Sequence, residues 1–187
     1  MSKVPSTSCS ISRSVGVLGD RWTFLILRDA FEGITRFEDF RESLGVATDV
    51  LSARLSALVE HGVMEKTEYR EPGVRRRFAY VLTDAGRELF VILTGLQEWG
   101  DRHLPWPEGP SLLRLEERTG EPVHVGFIGS QGQEVPPQDV VYVPTSAYPQ
   151  RRLAAQARRK QSLPLQARSA NHFLDMEGLA AGRDGGD

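Results

Sequence analysis

Apolar residues recur at helical spacing along the first third of the chain. Residues 11–18 carry them three or four positions apart, at Ile11, Val15 and Leu18, which predicts a helix capped by Ser8 or Ser10. Residues 22–32 are apolar nearly all round, which predicts a second helix buried on several sides. This helix is expected to end near Glu32 and Gly33.

Two further predicted helices are joined by a short turn. The shorter one covers residues 36–44, with Thr35 as its N-cap and Gly45 as the glycine that ends it. The longer one covers residues 48–61 and ends at Gly62. Its predicted inward side consists of Leu51, Leu55, Leu58 and Val59. A short helix, a turn and a second helix form a helix-turn-helix, whose second helix can enter a DNA major groove.

The opposite side of this longer helix carries small polar residues. A major groove, about 12 Å wide, accommodates such a helix face, whereas bulky apolar or densely acidic residues would oppose it. The predicted base-reading residues are Thr48, Asp49, Ser52, Ala53 and Ser56. Only Asp49 among them has a charge that phosphate repels.

A hairpin is predicted directly after this helix. Residues 63–69 and 78–82 are rich in β-branched and aromatic residues, and the Pro72-Gly73 pair between them marks a turn. Arginines at the tip of such a hairpin suit a wing that contacts phosphates or a minor groove; a solvated tip is the plainer alternative. The predicted backbone contacts are Arg70, Arg75, Arg76 and Arg77, together with Arg36 and Arg54.

A long amphipathic helix is predicted after the hairpin. Residues 83–86 form its capping segment and it runs to about His103. In a small domain such a terminal helix often packs against its symmetry mate. The predicted homodimer interface combines apolar residues of this helix with two from the first, namely Leu89, Ile92, Leu93, Leu96, Trp99, Ile11 and Val15.

Composition narrows the class of protein. The 187 residues, 40% hydrophobic and 26% charged, are typical of a soluble protein with one ordinary core and an appendage. No run approaches the roughly 20 apolar residues of a membrane span. A single cysteine and an N-terminus without an apolar signal segment favour a cytoplasmic location. The net charge of −2 does not indicate nucleic-acid binding, so the clustering of the arginines carries that inference.

Several blocks of the sequence resemble HxlR-type regulators, which are relatives of the MarR group. The opening blocks are Cys9-Ser10-Ile11, Gly19-Asp20-Arg21-Trp22-Thr23 and Ile26-Leu27-Arg28. Later ones are Arg36-Phe37, Leu51-Ser52, Arg54-Leu55, Gly62-Val63, Leu82-Thr83 and Trp99-Gly100. The resemblance covers about residues 9–103. It implies a cytoplasmic homodimeric winged helix-turn-helix protein that binds pseudo-palindromic operators in double-stranded DNA, most simply as a repressor.

One departure from that family concerns Asp49, because members frequently carry a basic or amide residue in this part of the recognition helix. The carboxylate could accept a hydrogen bond from a cytosine amine, or it could cap the helix through the N–H groups of its first turn. Of these two roles, capping is the one that we favour.

The remaining chain is expected to form an extension and a tail. Residues 105–148 resemble a zinc ribbon whose cysteines are replaced, so a hairpin of residues 123–128 and 140–143 would hold without metal. No cofactor or metal is expected, whereas a small molecule or an oxidant is a candidate effector. Residues 149–187 are predicted to be a tail, disordered or loosely helical over 151–161, with six basic residues and no acid between 151 and 168. The predicted fold is therefore mainly α with a β-hairpin wing on residues 1–104, followed by these two parts.

Two alternatives to a plain DNA-binding regulator concern Cys9 and the scaffold. Cys9 is expected at the start of the first helix, where the helix dipole favours a thiolate, and some HxlR-type regulators sense electrophiles or oxidants through a cysteine there. An ordinary buried cysteine is the plainer interpretation. A protein-interaction module on a winged-helix scaffold is the other alternative. Catalysis is not expected, because the four histidines are scattered and no phosphate loop or nucleophile elbow occurs.

Overall fold

The computed structural model describes residues 4–69 and 77–162. They fall into two compact units, Met1–Val125 and Gly126–Asp187. The first unit begins with four helices: α1 (Ser10–Leu18), α2 (Arg21–Phe31), α3 (Phe37–Leu44) and α4 (Thr48–Glu60). Their order and lengths confirm the predicted helices to within one or two residues.

The first two helices begin differently from each other. Cys9 is the N-cap of α1 and makes no side-chain cap, so the prediction that Ser8 or Ser10 caps this helix was wrong. Asp20 is the N-cap of α2, and its Oδ1 accepts a hydrogen bond of 2.9 Å from the backbone N–H of Trp22. α2 packs against α3, α4 and α6, the helix of residues Leu89–His103, which explains why its sequence is apolar on several sides.

The helix-turn-helix consists of α3 and α4. Arg36, rather than Thr35, is the N-cap of α3, because the carbonyl of Thr35 instead accepts a 2.7 Å hydrogen bond from the Tyr80 N–H. Gly45 ends α3 in the left-handed region, with φ of 58°, and this conformation favours glycine. The chain can therefore turn within three residues into α4.

Two antiparallel strands follow α4: β1 (Met64–Tyr69) and β2 (Arg77–Leu82). They pair from Met64 opposite Leu82 to Tyr69 opposite Arg77. The apolar core under the strands and helices consists of Leu18, Ile26, Leu27, Phe40, Val46, Leu51, Leu55, Leu58, Val63 and Met64, and the polar residues Thr23 and Asp29 are buried as well. A mainly α fold with a β-hairpin wing is thus confirmed.

The helix after the hairpin is divided in two. α5 (Asp84–Arg87) and α6 (Leu89–His103) are separated by Glu88, so the single continuous helix that the periodicity predicts was wrong. Glu88 keeps helical dihedrals, with φ of −61° and ψ of −22°, so the interruption is a local loss of helix hydrogen bonding. The predicted cap is present: Thr83 Oγ1 accepts from the Gly86 N–H and lies 2.6 Å from the carbonyl oxygen of Gly62.

The first unit ends with a segment that lies along α6. The Arg114 guanidinium contacts Asp101 at 3.0 Å and Glu98 at 3.5 Å, and Glu98 also accepts a 3.0 Å hydrogen bond from the Val125 N–H. All three charged side chains are largely buried, so these contacts are screened less than ordinary surface pairs. They hold the start of the predicted extension against α6.

The second unit contains a small hairpin, β3 (Phe127–Ile128) with β4 (Glu134–Val135), a 3₁₀ turn (Pro137–Asp139) and the helix α7 (Gln150–Ser162). The sequence predicted a hairpin of residues 123–128 with 140–143; the hairpin that forms joins residues 127–128 to 134–135, and Tyr142 lies in a β-bridge. β3 pairs with the nearer segment, β4, because Gly132, with φ of 82°, closes a tight turn between them. In this turn the Gly129 N–H donates to the carbonyl oxygen of Gln133. Residues 151–161, predicted to be either disordered or loosely helical, are helical and belong to α7. Within the described ranges, no helix is long and apolar enough to cross a membrane.

Candidate nucleic-acid interface

The outer face of α4 is small and polar. Leu51, Leu55 and Leu58 are completely or almost completely buried, and this anchors the helix with its opposite side turned to solvent. All five predicted base-reading residues are exposed there: Thr48, Asp49, Ser52, Ala53 and Ser56. The structure therefore presents them together on one helix face, and their contact with bases stays a prediction.

Asp49 lies in the first turn of α4 but does not cap it. The N-cap is Ala47, which makes no side-chain cap, so the preference for Asp49 as the capping residue was wrong. Its carboxylate instead stands near the positive end of the helix dipole, an interaction worth about 0.3–1 kcal/mol at an exposed site. A helix-stabilising role thus still accounts for an acid here without a base contact.

A single carboxylate joins α2 to α4. Asp20 caps α2 through Oδ1, while its Oδ2 lies 3.3 Å from Nη2 of Arg54, two residues after Ser52 on α4. The two side chains are about one third exposed. Arg54, predicted as a phosphate contact, thus forms an ion pair within the protein, and its contact with phosphate stays a prediction.

Replacing Asp20 is expected to separate its two contacts. Asp20→Ala removes the cap and the ion pair and should lower the free energy of unfolding by about 1–2 kcal/mol. Asp20→Asn keeps a side-chain oxygen for the cap and should cost less than about 1 kcal/mol, because a partly exposed pair is screened. Urea unfolding measures both values, and equal losses for the two variants would contradict this division.

The base of the wing contains aromatic rings and cations. Arg77 begins β2 and is exposed. The Arg36 guanidinium lies 4.9 Å from the ring centre of Tyr69, and Lys66 Nζ lies 4.1 Å from that of Phe78. These contacts hold Arg36 and Lys66 at the base of the wing, and Arg77 lines the same groove. The remaining wing arginines, Arg70, Arg75 and Arg76, lie outside the described residues.

Lys66 is the residue that sequence reasoning missed. It lies in a groove of about 350 Å³ at the base of the wing, which is also lined by Arg36, Arg77 and the acids Glu38 and Asp39. In the sequence it stands between Glu65 and Glu68, which hides it from a search for charge clusters; alternation along the strand places it on the side opposite to Glu65 and on the same side as Glu68. Burial raises the pKa of neighbouring Tyr80, so its hydroxyl stays neutral around pH 7.

The residues predicted for the dimer interface divide into two sets. Leu89 and Leu93 pack against the protein's own core. Five others are more than half exposed although apolar, namely Ile11, Val15, Ile92, Leu96 and Trp99. An exposed set of this kind on α1 and α6 is typical of a surface that another chain covers, and its role as the dimer interface stays a prediction.

Cys9 is half buried at the N-cap of α1. Its backbone N–H donates to Thr7 Oγ1 at 3.2 Å, and the guanidinium of Arg13 donates to the Thr7 carbonyl at 2.7 Å. Arg13 lies one turn further along α1, and its bonds in this segment go to Thr7 and Ser10. Redox sensing by Cys9 stays a prediction.

A buried helix pair with a small polar outer face, followed by a basic hairpin, defines a winged helix-turn-helix protein that binds DNA and regulates transcription. The chain belongs to the HxlR-like helix-turn-helix family, whose model matches residues 17–107. The resemblance inferred from the sequence blocks is thereby confirmed. The matching proteins are transcription regulators rather than enzymes.

Known relatives extend the match beyond the family model. The uncharacterized HTH-type transcriptional regulator Rv3095 of Mycobacterium tuberculosis (strain ATCC 25618 / H37Rv) is 38% identical over 136 residues, 72% of this chain and 85% of its own. PA1607, a proposed transcription factor with a crystal structure, is 38% identical in sequence to this chain. The two structures match with a TM-score of 0.64, and the match covers 73% of this chain and 95% of PA1607. PA1374 from Pseudomonas aeruginosa, also a proposed transcription factor, is 34% identical, with a TM-score of 0.55 over 76% and 97%. Part of the extension is therefore shared with these proteins.

Proposed function

We propose that the protein is a sequence-specific repressor that binds a pseudo-palindromic operator as a homodimer. The observation that carries the proposal is the exposed small polar face of α4, held outward by the buried Leu51, Leu55 and Leu58. Side chains this short let the helix backbone approach the base edges closely. Base contacts then give specificity, and the cations of the wing give affinity through phosphates.

The homodimer is proposed because apolar residues of α1 and α6 are exposed. A two-fold axis through these helices would bring two copies of α4 onto one side of the assembly. Two half-sites one helical turn apart, about 34–36 Å, would then be read together. A dimer seated on a promoter in this way excludes other proteins from the same DNA, and this is why repression is the proposed outcome.

Salt dependence tests the wing. Binding to a selected operator fragment is measured by fluorescence anisotropy at several salt concentrations, and log K is expected to fall linearly with log salt. The double variant Arg75→Ala, Arg77→Ala should weaken binding to all fragments by a similar factor. It should also make the slope shallower by about three to four units, because the homodimer loses two phosphate contacts in each subunit and each lost contact removes about 0.9.

The matched control removes two arginines elsewhere, Arg102→Ala and Arg118→Ala, both exposed, and should leave the slope unchanged. Changes at Thr48 or Ser52 should alter which fragment is preferred instead. Full affinity in the wing variant would contradict the docking proposed here. Weak binding to every fragment, with no dependence on salt, would contradict the function itself and favour the protein-interaction alternative.

A redox-controlled regulator is the alternative that Cys9 supports. With one cysteine in the chain, the switch would require a bond between Cys9 of the two subunits or a cap by a small thiol. Repeating the anisotropy titration after oxidation tests it. An unchanged affinity, or an equal loss in a Cys9→Ser variant, would exclude the switch.

A further inference from the structure

A cavity of about 330 Å³ opens between α2, α6 and the segment that follows α6. Its walls are mainly apolar and aromatic, and they consist of Phe24, Leu25, Phe31, Phe90, Leu93, Leu96 and Leu112. The Phe31 and Phe90 rings meet with centres 5.1 Å apart, which fixes one wall. None of the predicted base-reading or wing residues lines it.

The size of the cavity suits a small molecule. Ligand pockets in proteins are typically about 300–1,000 Å³, mostly apolar, with a few convergent polar groups. An apolar cavity of about 150 Å³ is enough for a benzene ring. The present cavity therefore has room for two fused rings.

The polar groups of the cavity define the charge of its occupant. Arg28 donates through Nε and Nη2 to Oδ1 of Asp29, at 2.8 and 2.6 Å, and Asp29 is 1% exposed. The charge of Arg28 is thus compensated from inside the protein. The other charged lining residue is Glu32, so an anionic ligand would be repelled. Gln97 and Ser111 add neutral donors and acceptors.

We propose that this cavity binds a neutral aromatic molecule of about two fused rings that carries a hydroxyl group. The rings would lie among the phenylalanines, and the hydroxyl would donate to Glu32 or accept from Gln97. A second copy of the chain is the competing occupant, but of the five exposed apolar residues on α1 and α6 only Leu96 lines the cavity. The set suited to a protein partner and the concave site are therefore largely different surfaces.

The position of the cavity couples its occupant to DNA. α2 supplies Phe24, Leu25 and Phe31 to the walls, and the same helix begins at Asp20, which is paired with Arg54 of α4. A ligand that moves α2 relative to α6 would thus also move α4. This regulatory part rests on the proposed function, whereas binding in the cavity does not.

The binding test uses the full chain and 2-naphthol as the probe, with calorimetry as the readout. Leu112→Trp should fill the cavity and weaken 2-naphthol binding at least tenfold. Leu113→Trp is the matched control, because Leu113 is the next residue, is 74% exposed and does not line the cavity; it should bind as the unmodified protein does. No heat of binding, or equal weakening in both variants, would overturn the proposal.

The charge of the ligand is tested with 2-naphthoate, which has the same rings and is anionic at pH 7. It should bind at least tenfold more weakly than 2-naphthol, and Glu32→Gln should reduce that difference. Tighter binding of 2-naphthoate would overturn the neutral class.

The coupling is tested by repeating the operator titration with saturating 2-naphthol. Affinity for DNA should change at least fivefold, the lower end of common allosteric couplings, and Leu112→Trp should abolish the change. Binding of 2-naphthol with unchanged DNA affinity would overturn the regulatory part alone. If DNA binding itself is absent, the proposed function fails while the calorimetric result still decides the site.

Discussion

Ser52→Glu is expected to abolish specific operator binding without loss of stability. Ser52 lies at the centre of the exposed face of α4, so the new carboxylate would enter the groove between two phosphate chains. Like charges brought together at an interface cost several kcal/mol, and each 1.4 kcal/mol is a factor of ten in affinity. We expect at least a hundredfold loss by anisotropy, with an unchanged urea midpoint because glutamate favours a helix more than serine does.

The control for this variant adds the same charge outside the helix-turn-helix and the wing. Ser146 is exposed in a loop of the second unit, and Ser146→Glu should alter operator affinity by less than about twofold, because this residue belongs to none of the elements proposed to contact DNA. A Ser52→Glu protein that still bound its operator tightly would show that α4 is not the reading helix.

Gly86→Ala is expected to be the most destabilising small substitution in the described fold. A Cβ atom at Gly86 would lie 2.1 Å from the carbonyl oxygen of Val63 and 3.1 Å from Leu82 Cδ2. That oxygen also accepts the Thr83 N–H at 3.1 Å, so the strand end and α5 would have to separate. Overpacking of this kind costs about 3 kcal/mol or more when backbone must move, which for a protein of this size lowers Tm by about 6–12 °C.

Gly95→Ala is the matched control for that measurement. Gly95 lies in α6, where an added Cβ would have its nearest contact with Val125 Cγ1 at an ordinary 3.9 Å. Alanine favours a helix over glycine by about 0.5–1 kcal/mol, so Tm should stay the same or rise. Calorimetric melting of both variants decides the matter, and similar Tm values would contradict the close packing described at Gly86.

The helices were predictable because their periodicity and their end signals agreed. Gly45 and Gly62, both with positive φ, end α3 and α4 where glycine is the natural stop, and the buried leucines of α4 left its polar side outward as expected. The caps were less predictable. Thr35 and Asp49 have suitable side chains, yet the backbone placed Arg36 and Ala47 at the cap positions, because pairing with β2 decides where α3 begins.

Long-range pairing is the part that sequence patterns did not show. Residues 140–143 look like a strand, but Phe127 and Ile128 pair with the nearer Glu134 and Val135 through a five-residue turn. Arg54 and Asp20 are more than thirty positions apart in the sequence, and the residues around each of them give no sign of this interaction. Arg54 was therefore predicted as a phosphate contact on charge alone.

The helix α6 is shared by four neighbours at once. Leu93 faces the core, Gln97 the cavity, Glu98 the segment held by Arg114, and Trp99 the exposed apolar surface. The consecutive positions 97–99 thus have three different neighbours. A related protein that acquires a new ligand or a new subunit partner is therefore expected to differ at several positions of α6 at once. Paralogous subunits in the same cell are expected to avoid forming mixed dimers through substitutions concentrated in this helix.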